Sequence, residues 1–184
     1  EIIDNLDSLV DRVKDAINKK EVVSIAYHGN VIDVWKEFYN KKIHIDIGSD
    51  QTSLHNPWSG GYYPVGLSFD KANEMIYQNP KLFKKKVKES LVEQAKLINK
   101  HANRGTYFFD YGNAFLLEAS KAKADVMSKD GVNFKFPSYV QDIMGPMNFD
   151  YGFGPFRWVC CSGKYEDLDK TDEIACKVLE RIMK

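Results

Sequence analysis

Between Val22 and Ile47 the chain passes through a β-branched stretch, a helically spaced stretch and a second β-branched stretch, an order that few folds accommodate. Val22-Val23-Ser24-Ile25-Ala26-Tyr27 stops at His28-Gly29-Asn30. Apolar residues then recur at Val31, Val34, Trp35 and Phe38, and Ile43-His44-Ile45-Asp46-Ile47 stops at Gly48. A short apolar run closed by a Gly/Asn turn reads as a buried parallel strand, and strand, helix, strand in this space reads as a βαβ unit. Ahead of it, Ile2, Ile3, Leu6, Leu9, Val10, Val13 and Ile17 carry helical spacing against a charged face.

The remaining elements follow the same alternation. Ser68 opens a short helix to Tyr77. Asn79-Pro80 opens a long one whose buried stripe is Phe83, Val87, Leu91, Ala95, Ile98 and Ala102, with Pro80 at a first helical position and Gly105 as the stop. Thr106-Tyr107-Phe108-Phe109 reads as a third strand, turning at Asp110-Tyr111-Gly112-Asn113 into a helix from Ala114 to Ala124. Phe156-Arg157-Trp158-Val159-Cys160 reads as a fourth strand and Leu168 to Met183 as a closing helix, with an irregular stretch at 128–155. The expected fold is α/β: a Rossmann-like parallel sheet of at least four strands with helices on both faces, in one domain over 1–184, as suits a 184-residue chain.

Composition narrows what such a domain does. Lys+Arg and Asp+Glu are both 26, so no net field gathers nucleic acid or anionic lipid, and Lys84-Lys85-Lys86 reads as a solvated helix face. No apolar run approaches the roughly 20 residues that cross a bilayer. The start at Glu1, with no Met, basic n-region or cleavage site, reads as no signal peptide and as a piece of a longer protein. Three cysteines make no disulfide framework and suit a reducing, cytoplasmic setting; Cys160 and Cys161 read as buried structural residues. No two of His28, His44, His55 and His101 share a helical ligand spacing, so no metal site is expected.

In parallel α/β sheets, ligands bind where the carboxyl ends of strands feed loops. Three loops qualify here: His28–Val31, Asp50–Gly66 and Asp110–Asn113. The second has no periodicity and holds four glycines at 48, 60, 61 and 66 with its immediate flank, plus Pro57 and Pro64. Gln51-Thr52-Ser53-Leu54-His55 suits a polar ligand with hydroxyls and phosphates, or else a loop bonded to its own backbone. Asn30 offers an amide to a phosphate, or caps the next helix. Tyr62 and Tyr63, after Gly60-Gly61, could stack on a flat ring or pack within the loop. No GxGxxG is present, and Gly152-Phe153-Gly154 precedes a strand instead of joining strand to helix.

Several longer blocks go further. Asp50-Gln51-Thr52-Ser53-Leu54-His55-Asn56-Pro57 with Gly61-Tyr62-Tyr63-Pro64, then Phe109-Asp110-Tyr111-Gly112-Asn113, Tyr139-Val140-Gln141-Asp142-Ile143-Met144-Gly145-Pro146, and Gly154-Pro155-Phe156-Arg157-Trp158-Val159 before Ser162-Gly163, closely resemble the urocanate hydratases (urocanases) in their order. The resemblance covers nearly the whole chain. It implies a cytosolic, homodimeric enzyme of histidine degradation that adds water to urocanate to give 4-imidazolone-5-propionate. It also implies tightly bound NAD+ serving as an electrophile: an imidazole carbon of the substrate adds to C4 of the nicotinamide, water attacks, and NAD+ is regenerated.

Carried over residue by residue, the resemblance implies cofactor contacts at Asn30 and Val31, at Gln51, Thr52, Ser53, Leu54 and His55, at Tyr62 and Tyr63, and at Tyr111. These lie on the three strand-end loops. Arg157 matches the arginine associated with the substrate carboxylate, a role its planar fork suits, although a structural ion pair would suit it too. The family's glycine-rich phosphate loop, its N-terminal Tyr-His pair and its FQGLP-type cysteine block have no counterpart in 1–184, so no catalytic residue is expected in this chain. The expectation is a middle portion of a urocanase, inactive by itself. The alternatives are a free-standing NAD or ADP-ribose module without catalysis, and a structural or oligomerising fragment.

Overall fold

A computed structural model describes residues 1–50, 56–112, 114–152 and 160–183. Its contacts gather into two compact units, Glu1–Ile143 and Met144–Lys184, where the sequence reading has one domain over 1–184.

The first unit opens with β1 (Ile2–Ile3), then α1 (Leu6–Lys19), β2 (Ala26–Tyr27), α2 (Val31–Asn40) and β3 (Ile47–Asp50). A single turn of 3-10 helix at Pro57–Ser59 precedes α3 (Phe69–Gln78), α4 (Pro80–Ala102), β4 (Tyr107–Asp110) and α5 (Ala114–Lys121), and a π-type turn at Tyr139–Met144 follows. The strands pair in parallel, as expected, but as two ladders of two strands among the described residues. Ile2 faces Ala26 in one; in the other, Ile47 faces Tyr107 and the register runs to Asp50 facing Asp110. The α/β class with parallel strands holds, and the expected sheet of at least four strands appears among the described residues as these two ladders. The expected fourth strand, 156–160, lies almost entirely outside the described residues.

Element starts follow local chemistry. Ile2 and Ile3 join a strand instead of the first helix, because the Asn5 side chain accepts from Ser8 N–H at 3.0 Å and starts α1 there. Ser68 and Asn79 cap α3 and α4 in the same way, and Pro80 takes the first turn of α4 as its fixed φ allows. Gly105 turns the chain out of α4 at φ +100°, a conformation open chiefly to glycine.

The core gathers around α4. Phe83, Val87, Leu91, Ala95 and Ile98 are all buried, and they pack with Ile32 and Trp35 of α2, Phe108 of β4 and Phe115 and Leu116 of α5. Phe108 meets Trp35, Phe115 and Phe136 edge-on, with ring centroids 6.2, 6.1 and 5.2 Å apart. On the β3–β4 pair, Gly48, Asp50, Phe108 and Asp110 turn toward this core, and Ile47, Ser49 and Tyr107 turn outward.

The second unit holds α6 (Gly145–Phe149) and α7 (Tyr165–Ile182). Here Cys161 and Cys176 are exposed and Cys160 is half-buried, which corrects the reading of Cys160 and Cys161 as buried. That reading placed them at the end of a strand inside a sheet. In the structure Cys160 lies 3.4 Å from the Ser162 hydroxyl, in the turn leading to α7.

Candidate functional site

The carboxyl ends of β3 and β4 lie side by side, and hydrogen bonds draw the strand-end loops to them. Asp50 ends β3 and Asp110 ends β4, and they are register partners, both buried. The Tyr111 N–H donates to the Asp50 carbonyl at 3.2 Å. Asp110 holds the turn that follows it: Oδ1 accepts from Gly112 N–H at 3.2 Å and Oδ2 from Leu116 N–H at 2.9 Å, joining β4 to α5. Beyond the edge, Ser138 forms an isolated parallel bridge with Asp110, and the Tyr139 ring stacks on Tyr111, centroids 5.0 Å apart.

Asn30 uses both ends of its amide. Its Oδ1 accepts from Ile32 N–H at 3.0 Å, so the capping role is real, and its Nδ2 donates to the Tyr63 carbonyl at 3.0 Å. The loop at 60–65 is thereby tied to the start of α2, whose first turn already gives the Ile32 and Asp33 N–H groups to Asn30 and carries the Asp33 carboxylate. Val31, at that first turn, is exposed.

Tyr62 differs from its expected part as a stacking surface. Its ring is 3% exposed within the core, and its hydroxyl donates to Gln94 Oε1 at 2.8 Å. Burial, with the nearby Asp50 charge, holds the phenol far above its usual pKa, so it remains a donor. What Tyr62 offers a ligand is therefore main chain. Tyr63 is half-buried, donates its hydroxyl to Asn73 Oδ1 at 2.9 Å and lies tilted against Phe69. Both rings pack within the fold.

Two buried polar residues of α4, Ser90 and Gln94, complete the arrangement, and the motifs did not point to them. Ser90 Oγ accepts from Val65 N–H at 3.0 Å. Gln94 Nε2 donates to Asp50 Oδ2 at 2.8 Å while its Oε1 receives Tyr62. Both lie on the buried stripe of α4, and a Ser and a Gln interrupting an apolar stripe is the signal that would have found them.

The structure thus brings together Asn30, Tyr62, Tyr63 and Tyr111. Gln51, Thr52, Ser53, Leu54 and His55 follow Asp50 directly but lie outside the described residues, as does Arg157. Near this edge a cavity of about 420 Å³ is lined by Lys135, Phe136, Ser138, Gln141 and Asp142 among others. A second, of about 340 Å³, lies at the amino-terminal edge of the same pair, between Lys42, His44, His101, Arg104 and Thr106.

The described residues fit a dinucleotide in kind through a parallel carboxyl edge on which loops after β3 and β4 converge, with exposed chain at Val31 and Tyr111 beside it. The family model for the urocanase Rossmann-like domain matches residues 1–143, and that for the urocanase C-terminal domain matches residues 146–184. The chain belongs to the urocanase family. It is 51% identical over 189 residues to the urocanate hydratase of Mus musculus and 51% identical over 187 residues to that of Homo sapiens, in each case covering 98% of this chain and 28% of the relative. A probable urocanate hydratase of Caenorhabditis elegans is 49% identical over 182 residues, 97% of this chain and 27% of that protein. The chain therefore spans little more than a quarter of these relatives' length. The boundary between the two family domains, at 143–146, falls where the two compact units part.

Proposed function

We propose that this chain forms part of the NAD+ site of a urocanate hydratase, a hydro-lyase that adds water to urocanate to give 4-imidazolone-5-propionate. The observation that carries the proposal is the hydrogen-bonded convergence of Asn30, Asp50, Tyr62, Tyr63 and Tyr111 at one parallel carboxyl edge. NAD+, when bound, supplies an electrophilic nicotinamide ring. The chain's own residues bind and orient it: Asn30 and Val31 at the start of α2, Gln51 through His55 after β3, Tyr62 and Tyr63 through the loop they anchor, and Tyr111 after β4. Arg157 receives the substrate carboxylate in this proposal, its guanidinium matching both oxygens at once. The parent is a cytoplasmic homodimer that engages neither nucleic acid nor membrane; among the described residues no helix is long and apolar enough to cross one.

The test uses the full-length parent. It should carry NAD+ as purified and remove the near-ultraviolet absorbance of urocanate. Arg157→Ala should raise KM for urocanate while keeping NAD+ bound, since breaking a buried charged pair costs roughly 2–5 kcal/mol. Arg157→Lys should restore little, because an ammonium is a point charge. A parent free of NAD+ and without effect on urocanate would overturn the reading. A stable, NAD-loaded Arg157→Ala enzyme with unchanged urocanate kinetics would remove Arg157 from the site.

A further inference from the structure

Gln94 sits 1% exposed on α4, between Leu91 and Ile98, at a position an apolar side chain would fill at lower desolvation cost. One planar carboxamide can accept from a phenol and donate to a carboxylate at the same moment. Gln94 does both, at 2.8 Å to the Tyr62 hydroxyl and 2.8 Å to Asp50 Oδ2. Each partner leads onward. Asp50 ends β3, and its carbonyl receives the Tyr111 N–H. Tyr62 is followed by Tyr63, whose carbonyl receives the Asn30 amide. Two bonds from one side chain therefore hold two segments of the carboxyl edge directly and reach two more through one further bond each. Ser90, one turn earlier, supports the same loop at Val65.

We propose that Gln94 is a positioning residue for the NAD+ site: its carboxamide locks Tyr62 to Asp50 and so sets the spacing of the loops between which the dinucleotide lies. Gln94 touches no cofactor itself; it acts through the residues it holds. The proposal rests on the NAD+ reading above.

The experiment titrates NAD+ calorimetrically into the full-length parent freed of cofactor, with the melting temperature of every apo protein measured alongside. Gln94→Met keeps the volume and removes both hydrogen bonds, and should weaken NAD+ binding roughly tenfold or more, about the loss of one well-placed bond. Tyr62→Phe removes only the hydroxyl and should weaken binding less. In the Tyr62→Phe background Gln94→Met should cost less than in the wild type, because part of its effect is already spent. Gln94→Glu keeps an acceptor for Tyr62 but sets a carboxylate against Asp50, and should also bind NAD+ more weakly. If Gln94→Met does not fold, Gln94→Glu and Tyr62→Phe carry the test. Wild-type affinity in Gln94→Met, or in both of the other variants, overturns the proposal, as does a lowered melting temperature with unchanged affinity or strict additivity in the double variant. A wild-type parent that takes up no NAD+ overturns the cofactor reading itself, a result separate from normal binding by wild type and variants alike.

Discussion

At the scale of single residues, a side chain's role follows from what its polar atoms meet. His101 is buried on α4, its Nε2 2.8 Å from the Trp35 carbonyl, with the Trp35 and Tyr39 rings edge-on at 5.0 and 5.5 Å. A carbonyl only accepts, so Nε2 carries the proton of a neutral ring. Burial lowers the pKa of His101 below its ordinary 6.5, outweighing the bond to Trp35. The unfolded chain then binds a proton that the folded chain resists, so this contribution to stability is complete above the ordinary value and is lost as pH falls through and below it. We expect the urea midpoint to fall between about pH 7 and 5, and to fall less in His101→Gln, which keeps a donor for Trp35 without titrating. Equal falls in the two proteins would show that His101 does not govern this range. Of the site, Asn30 and Tyr63 were readable as strand-end residues, but the use of both ends of the Asn30 amide was not. The place of Gln94 on the α4 stripe was there to read, but its partners, Tyr62 and Asp50, are distant in sequence and meet it only when the fold is complete.

Elements were more legible than the ladders that join them. The helix stripe at Phe83, Val87, Leu91, Ala95 and Ile98 was plain, since each of its turns repeats the same burial. Strand bounds drifted. In the run Ile43–Ile47 the side chains of Ile43 and Ile45 meet the core, but the ladder begins at the outward-facing Ile47 and ends at Asp50. Hydrophobicity reports which residues leave water; hydrogen-bond register depends on a partner strand contributed by a distant segment. Val22–Tyr27, read as a buried strand, is corrected on both counts: none of its residues is buried, Val22 is fully exposed, and only Ala26 and Tyr27 pair. Gly48 shows how tightly β3 lies on α2: a Cβ built there would come 2.6 Å from the Trp35 ring and 3.5 Å from Phe108. Gly48→Ala should therefore cost about 1–3 kcal/mol, the usual price of overfilling a packed core. Chemical denaturation measures it, and an unchanged midpoint would mean that Trp35 moves aside freely.

At the scale of the whole molecule, the chain covers 27–28% of the length of the relatives named above, as two compact units matching two family domains. We expect the 184-residue chain alone to leave urocanate absorbance unchanged in the presence of NAD+, and to bind NAD+ about two to four factors of ten more weakly than the full-length parent, as the loss of two charged hydrogen bonds of roughly 1.5–3 kcal/mol each implies. Turnover above a protein-free control, or submicromolar affinity, would contradict this. The fold class was legible because alternating strands and helices admit few arrangements. The ladder between β3 and β4 also has a history. Asp50 cannot find Asp110 until α3 and α4, which lie between them in the chain, have been made and folded back. Local helical turns form quickly, while closing a distant parallel pair waits on loop entropy. During synthesis the β3–β4 edge can thus close only after α3 and α4 have been made.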